Sequence, residues 1–198
     1  MVIRKGGDAR SQTPHETPQF LSVYHEHPSL ATGTALFLRR TDAPRETAYQ
    51  LLTLGAKRLW GLDPLPEIAR TPLGAPYFPH HPRLRFSISH SRRYALCALS
   101  GGPVGCDVEE LRPRLPGLPQ RCFSSEELAR WQAMGGGWEG FYPLWTEKEA
   151  AAKYLGTGLR ADLKSLAPPK DAKVYHFRVD DAFVCLCCGQ ELVYSDGL

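Results

Sequence analysis

Apolar positions recur along the chain at spacings that predict a helix and a few short strands in each half. In the first half, the apolar run at residues 35–38 predicts a strand. Apolar side chains then recur at helical spacing over residues 45–60, between Pro44 in the first turn and Gly61 after the last one. The proline-rich residues 62–82 are typical of a loop.

Three strands are predicted in the middle of the chain. From residue 84, apolar and polar positions alternate in a strand that runs into Ser89-His90-Ser91. Residues 94–99 and 104–109 predict two more strands, and Ser100-Gly101-Gly102-Pro103 between them is typical of a turn.

This turn lies at the middle of the chain, so we expect an N-terminal half at residues 1–102 and a C-terminal half at residues 103–198. In the second half, Ser124-Ser125-Glu126-Glu127 has the capping-box pattern that opens a helix. Residues 146–155 predict a further helix, and residues 173–194 predict a hairpin. The expected fold class is therefore α+β (α/β), with each half a small sheet packed with helices.

The composition is typical of a globular chain, with 42% hydrophobic and 23% charged residues among 198. No apolar run approaches the roughly 18 residues of a transmembrane helix, and the first residues lack the apolar core of a signal peptide. Residues 1–19 predict a loose polar arm, and His25-Glu26-His27 predicts a surface loop because no third metal ligand is evident nearby. The six cysteines show no zinc-like double pairing, which favours buried thiols in a reducing cytoplasm.

The net charge of +3 conceals a difference between the two halves. Residues 1–100 carry 13 Lys and Arg against 7 Asp and Glu, whereas residues 101–198 carry 11 against 14. This difference suggests an anionic ligand on one side and a cation site on the other, although counts this small also arise by chance.

Three carboxylates and one lysine share a predicted arrangement that suits a cation. Asp107 and Glu109 lie two residues apart on a predicted strand and point to one face. Glu149 and Lys153 lie four residues apart on a predicted helix and share a face too. If the strand packs on the helix, the four groups converge as a Mg²⁺-dependent reaction of a phosphate-bearing substrate requires.

Each of these residues also has an ordinary structural interpretation. Two acids on an exposed edge strand are harmless, and Thr146 to Glu149 fits a capping box at a helix start. A Glu149–Lys153 pair stabilises any helix by about 0.2–0.5 kcal/mol. In the Ser89-His90-Ser91 segment, the histidine is either a satisfied core residue or a phosphate contact.

Four segments, taken together in their order along the chain, indicate a function more specifically than any one of them does alone. FSISHS, VGCDVEE, FSSEE and FYPLWTEKEAAAKYLGTGL follow one another along the chain. In this order they resemble the 4′-phosphopantetheinyl transferases of the Sfp type, over roughly residues 35–190. The resemblance implies transfer of the phosphopantetheine arm of coenzyme A to a serine of an acyl or peptidyl carrier protein, with adenosine 3′,5′-bisphosphate as the other product. It also implies two similar halves in a pseudo-twofold arrangement, with the active site between them.

The resemblance further implies roles for individual residues. Asp107, Glu109 and Glu149 match the family's Mg²⁺ ligands, and Glu149 is also a candidate base for the carrier serine, directly or through a water. Lys153 matches the lysine that neutralises or protonates the leaving group. The coenzyme A contacts would be Arg45, Ser89, His90 and Lys153, and His90 is counted with Glu149 and Lys153 among the catalytic residues.

One segment departs from the family's pattern, and another has two interpretations. Gly74-Ala75-Pro76 lacks the basic residue that many relatives carry at its centre, so either coenzyme A is bound more weakly at its 3′-phosphate or Arg39, Arg40 or Arg70 compensates. Arg121-Cys122-Phe123 resembles the family's carrier-docking surface, and a hydrophobic staple before a helix explains it equally well.

The sequence bears on three alternative functions. A non-catalytic relative that binds carrier proteins is the main alternative, and the intact acids and Lys153 argue against it. A Mg²⁺-dependent phosphate-ester hydrolase would need a water-activating arrangement that the motifs do not suggest. Nucleic-acid binding is disfavoured because aromatic residues do not interleave with basic ones. We expect no membrane partner, and a monomer because the two halves complete one site.

Overall fold

The computed structural model describes residues 33–158 and 162–192. The arm expected at residues 1–19 and the His25-Glu26-His27 segment lie outside the described residues. None of the helices described has the length and apolar character needed to span a membrane.

The described residues form eight strands and four helices, which we number in chain order. They are β1 (Thr34–Arg40), α1 (Pro44–Trp60), β2 (Ala69–Arg70), β3 (Pro76–Tyr77), β4 (Arg85–Ser91), β5 (Tyr94–Ser100), β6 (Val104–Glu110), α2 (Leu118–Cys122), α3 (Ser125–Ala133), α4 (Trp138–Leu155), β7 (Lys173–Val179) and β8 (Ala182–Cys188).

Two units repeat the same order of elements. The first unit has β1, then the long helix α1, then the hairpin β4–β5, in an antiparallel sheet of order β1-β5-β4. The second has β6, then the long helix α4, then the hairpin β7–β8, in an antiparallel sheet of order β6-β8-β7. In both units the last strand lies at the centre. This order confirms the α+β class and the prediction of two similar halves, each a small sheet packed with helices.

The two units share a hydrophobic core. Helix α1 covers one face of the first sheet, where its buried Leu51 and Leu52 pack near Phe37 and Leu99. Residues from both sheets then form one buried cluster that joins the units. Its members include Leu36, Leu38, Leu96, Ala98, Val104, Val108, Val184 and Leu186. The sheets are therefore packed against each other as well as against their own helices.

Strands β4 and β6 are connected through serine side chains. Three backbone N–H groups of β6 donate to three serine hydroxyls of β4, at N–O distances of 3.0, 3.4 and 3.3 Å: Cys106 to Ser87, Val108 to Ser89 and Glu110 to Ser91. Both sets of residues alternate along their strands, so every bond lies on the same side. We call this arrangement the serine ladder. It satisfies N–H groups on the edge of β6 that its own sheet leaves unpaired.

An ion-pair network fastens the same two strands at one end. Arg93 donates from Nε to Glu110 Oε1 over 2.8 Å and from its backbone N–H to Glu110 Oε2 over 3.0 Å. Its Nη2 reaches Asp181 Oδ2, in the β7–β8 turn, over 2.6 Å. The turn of the second unit is thus tied to the hairpin of the first.

Helix α4 lies directly on β6, and Gly105 makes this possible. A Cβ atom at Gly105 would lie 2.0 Å from the carbonyl oxygen of Ala150 and 2.4 Å from the amide nitrogen of Tyr154. Only glycine permits this approach of strand to helix. It brings Asp107, two residues along β6, close to the polar face of α4.

Helix α4 begins earlier than predicted. It starts at Trp138 rather than Thr146, and Pro143 lies inside it. Thr146 does not cap the helix, because its hydroxyl donates to the carbonyl of Tyr142 over 2.9 Å. The capping-box interpretation of Thr146 to Glu149 is therefore wrong. Burial of the aromatic residues in the first turns outweighs the helix-breaking character of Pro143.

A buried lysine, Lys148, links α4 to α3 and to the segment that follows α4. Lys148 is 1% exposed, and its ammonium pairs with Glu127 Oε1 over 2.7 Å. It also donates to the carbonyls of Leu163 and Leu166, over 2.7 and 2.8 Å. Glu127 accepts from the Ser124 N–H as well, which confirms the capping box predicted at the start of α3. The pair therefore couples α3, α4 and the segment that follows α4.

We expect Gly105→Ala to destabilise the protein, because the new methyl group would overlap backbone atoms of α4 that cannot turn away. Overpacking of this kind costs about 1–3 kcal/mol or more, measured as the free energy of unfolding in urea. Gly102→Ala is the matched control, since the nearest atoms to its Cβ would belong to the flexible Gln190 side chain, at 3.4 Å. Equal stability of the two variants would contradict the close packing of β6 on α4.

We expect Ser87→Ala to lower the free energy of unfolding by about 1–3 kcal/mol, because it leaves the buried Cys106 N–H without its acceptor. Ser125→Ala, at an exposed position in the first turn of α3, is the control and should change stability by less than about 0.5 kcal/mol. A loss no larger at Ser87 than at Ser125 would show that the serine ladder contributes little to stability.

Candidate active site

One pocket contains every site residue singled out from the sequence. It has a volume of about 340 Å³ and is lined from both units. The predicted residues in its wall are Arg45, Ser89, His90, Asp107, Glu109, Glu149 and Lys153, and they are joined by Tyr49, Arg70, Ile88 and Val108. The fold therefore brings together groups from α1, β4, β6 and α4.

Asp107 is the most deeply buried acid of the pocket, at 3% exposed. Its Oδ1 accepts a hydrogen bond from the Ser89 hydroxyl over 2.7 Å and one from Lys153 Nζ over 2.8 Å. Its Oδ2 is buried and has no hydrogen-bond partner among the described residues. A buried carboxylate oxygen without a donor is costly unless a cation or another ligand completes it.

Glu109 is held at one oxygen in a similar way. Its Oε2 accepts from the Ser91 hydroxyl over 3.2 Å, and Nη2 of Arg114 lies 2.8 Å from the same oxygen. The serine ladder thus sets the direction of both acids, since Ser89 and Ser91 each accept from a β6 N–H group and donate to a β6 carboxylate.

Glu149 faces these acids from α4. Burial, and then the negative charge of Asp107, raise the pKa of Glu149 to about 8. The cause is electrostatic: three acids in one partly buried pocket cannot all be ionised without additional positive charge.

The donor set suits a hard divalent cation such as Mg²⁺, which prefers carboxylate oxygens. The unpaired Asp107 Oδ2 supports this by an observation independent of the motif. Within residues 33–158 and 162–192, however, no three acidic, histidine or cysteine groups already stand in a geometry that could hold a metal ion. Lys153 and Arg114 pair with two of the carboxylates instead.

Lys153 is positioned to donate a proton or a hydrogen bond into the pocket. Its ammonium donates to Asp107 Oδ1 and, over 2.9 Å, to the carbonyl of Cys106. An ammonium has three protons, so one remains for a ligand. Burial opposes its charge, but the neighbouring anionic groups, Asp107 foremost, outweigh burial and raise the pKa of Lys153.

Arg45 on α1 and His90 on β4 are exposed in the pocket wall, as is Arg70 on β2. The exposure of His90 excludes the interpretation as a satisfied core residue. Ser89 is buried, and its hydroxyl already donates to Asp107. A contact between Ser89 and a bound phosphate would therefore require this hydrogen bond to exchange.

Of the three arginines considered as a replacement for the charge missing at Ala75, Arg70 is the one in the wall of this pocket. It donates to the carbonyl of Gly74 over 2.9 Å and to the Tyr49 hydroxyl over 3.3 Å. Arg40 instead faces Asp180, 3.8 Å away. A second cavity of about 590 Å³ adjoins the pocket and also has Arg70 and Lys153 in its wall.

The expected carrier-docking segment is largely inside the protein. Cys122 and Phe123 are fully buried, and the Phe123 ring packs on Phe141 with centroids 5.1 Å apart. Only Arg121 of the three residues is exposed. These positions fit the hydrophobic-staple interpretation and not an apolar docking surface.

Sequence reasoning missed Tyr49 and Arg114. Tyr49 reaches the pocket because it lies one helical turn after Arg45, a spacing visible in the sequence. Arg114 carried no such signal, because it lies in a proline-rich loop and meets Glu109 only through the fold.

Comparisons with known proteins match the family that the motifs resemble. Residues 103–193 match the model of the 4′-phosphopantetheinyl transferase superfamily, a range that contains Asp107, Glu109, Glu149 and Lys153. A 4′-phosphopantetheinyl transferase of Bacillus subtilis is 34% identical over 135 residues, which are 66% of this chain and 60% of that protein.

Two further relatives are similar over shorter ranges. The 4′-phosphopantetheinyl transferase Sfp of Bacillus subtilis strain 168 is 35% identical over 96 residues, 48% of this chain and 43% of Sfp. The 4′-phosphopantetheinyl transferase AcpT of Escherichia coli K12 is 40% identical over 100 residues, 48% of this chain and 51% of AcpT. The chain thus spans less than two thirds of the length of each of these relatives. By these matches the chain is similar to the 4′-phosphopantetheinyl transferase superfamily over residues 103–193, and the motif residues of that range share one pocket.

Proposed function

We propose that the protein transfers the 4′-phosphopantetheine group of coenzyme A to a serine of an apo acyl or peptidyl carrier protein. The products are the holo carrier protein and adenosine 3′,5′-bisphosphate. The observation that carries the proposal is the convergence of Asp107, Glu109, Glu149 and Lys153, from two separate motifs, in one pocket. The similarity to proteins named 4′-phosphopantetheinyl transferases supports it.

Asp107, Glu109 and Glu149 would hold a Mg²⁺ ion in this pocket. A bound Mg²⁺ would neutralise the negative charge that develops on the pyrophosphate oxygens of coenzyme A during transfer. The pairs that Asp107 and Glu109 form with Lys153 and Arg114 leave one oxygen of each carboxylate for this purpose.

In the transfer, the serine oxygen of the carrier attacks the phosphorus nearer to the pantetheine. The bond from that phosphorus to the bridging oxygen breaks, and the oxygen leaves with adenosine 3′,5′-bisphosphate. Glu149 accepts the serine proton, directly or through a water, and Lys153 stabilises the departing oxygen with its remaining N–H.

The basic wall of the pocket would bind the coenzyme phosphates. His90 and Arg45 are exposed toward the pocket, and Arg70 supplies the positive charge that Ala75 lacks. Ser89 would contribute mainly by orienting Asp107. The adjoining cavity of about 590 Å³ would provide further space for the substrate beside Lys153.

The oligomeric state and the cellular compartment that we propose rest on two further features. A single chain supplies both walls of the pocket, which supports a monomer. All six cysteines are free thiols, as in a reducing cytoplasm.

Incubation with coenzyme A, Mg²⁺ and a panel of apo carrier proteins should add the mass of phosphopantetheine to at least one carrier, read as intact mass. Glu149→Gln should lower the rate by a factor of about 10²–10⁴, because the carrier serine loses its base. Glu139→Gln is the control on the same helix, at an exposed position outside the pocket. Coenzyme A binding without transfer to any carrier would favour the non-catalytic relative instead.

Transfer should stop when EDTA removes divalent cations and should return when Mg²⁺ is added in excess. Asp107→Asn should abolish the activation by Mg²⁺, because it removes a charged ligand oxygen. Asp171→Asn, at an exposed position, should retain it. Undiminished transfer in EDTA would contradict a metal-dependent mechanism.

A further inference from the structure

Arg114 is fixed beside the acidic cluster by helix α4. It follows β6 in a proline-rich loop, and its side chain is 25% exposed. Its Nε donates to the hydroxyl of Tyr142 over 3.0 Å, and its guanidinium lies 5.7 Å from the centre of the Tyr142 ring. Tyr142 is fully buried and donates its own proton to the carbonyl of Arg112 over 2.9 Å. The guanidinium is therefore placed by a rigid neighbour.

The contacts of Glu109 repeat those of Asp107. In each acid, one oxygen meets a β4 serine hydroxyl and a cationic side chain from another part of the fold. The matching groups are Ser89 and Lys153 at Asp107 Oδ1, and Ser91 and Arg114 at Glu109 Oε2.

The second oxygen of each acid has no hydrogen-bond partner within the part of the chain that the structure describes. Asp107 Oδ2 is buried and unpaired, and no hydrogen bond from the described residues reaches Glu109 Oε1. Two carboxylates, two residues apart on one strand, thus present one oxygen each on the same side.

We propose that Arg114 is a positioning residue that holds Glu109 at Oε2 so that Oε1 is presented to a divalent cation. The inference rests on the proposed function, because it assumes that the acids bind Mg²⁺. It assigns to Arg114 a part that neither the motifs nor the comparisons indicate.

The physical reason lies in the freedom of the glutamate side chain. Glu109 has one more rotatable bond than Asp107 and is 16% exposed. Its hydrogen bond from Ser91 is 3.2 Å long, which is weak for a donor to a carboxylate. The Arg114–Glu109 contact lacks the alignment of a hydrogen bond, so it acts as an ion pair. Groups that orient a metal-binding carboxylate typically change metal affinity by 10–100-fold when they are removed.

The test measures Mn²⁺ binding, by the loss of the free-ion electron paramagnetic resonance signal, with coenzyme A present. Binding to the full chain establishes the site, and its loss in Asp107→Asn assigns it to the acids. Arg114→Gln should then weaken Mn²⁺ binding by about 10–100-fold. Arg114→Lys should recover part of the affinity, because it restores the charge without the contact to Tyr142.

Two further variants distinguish a positioning role of Arg114 from the general effect of removing a positive charge. Tyr142→Phe removes only the hydroxyl that holds Arg114, and should weaken Mn²⁺ binding less than Arg114→Gln does. Arg83→Gln makes the same charge change at an exposed loop position and should leave the affinity unchanged. Thermal melting of each variant shows whether the fold is intact.

The outcomes distinguish the inference from the function on which it rests. If the full chain binds Mn²⁺ and Arg114→Gln binds equally well, the role of Arg114 is refuted while the metal site stands. Tighter binding by Arg114→Gln would show that Arg114 competes with the cation, which also refutes positioning. A lower melting temperature with unchanged affinity would assign Arg114 a structural role alone. No binding by the full chain would overturn both the inference and the proposed metal site.

Discussion

The serine hydroxyls of β4 connect two sheets that share no backbone ladder. Each hydroxyl accepts from an N–H group on the outer edge of β6, and two of them, Ser89 and Ser91, donate to the carboxylates of Asp107 and Glu109. A hydroxyl is suited to this because it donates one hydrogen bond while it accepts others. The same contacts therefore satisfy a buried strand edge, fix the register of one unit against the other and aim two acids into the pocket.

The pocket depends on a balance of charge that this packing creates. Close contact at Gly105 places α4 beside β6, so that Glu149 and Lys153 face Asp107. Burial and mutual repulsion raise the pKa of Glu149, whereas the same acids raise the pKa of Lys153. Lys153 therefore stays protonated, whereas ionisation of a third carboxylate in the cluster is unfavourable. A divalent cation relieves that cost, which is the physical basis for expecting metal-assisted chemistry here.

The elements that local pattern determines were predicted within a few residues, and those that packing determines were not. Helix α1 and strands β5 and β6 follow hydrophobic periodicity and turn residues that lie close by in the sequence. The start of α4 was missed because Pro143 suggests a break, and only burial of the flanking aromatic side chains overrides it. The pocket residues were found because they lie in contiguous motifs, and their geometry supports the convergence that the motifs suggested. The serine ladder and Arg114 escaped prediction since their partners lie far away in the chain, although the period-two serines of β4 were visible.

The most direct test of the account is the anomalous scattering of a crystal grown with Mn²⁺ and coenzyme A. The account predicts one strong anomalous peak in the pocket, at ligand distance of about 2.0–2.3 Å from an oxygen of Asp107, Glu109 and Glu149, with the coenzyme pyrophosphate beside it. It also predicts that Glu109 binds through Oε1 while Oε2 stays against Arg114. A coenzyme bound in the pocket with no anomalous peak at the three acids, or a peak elsewhere, would contradict it.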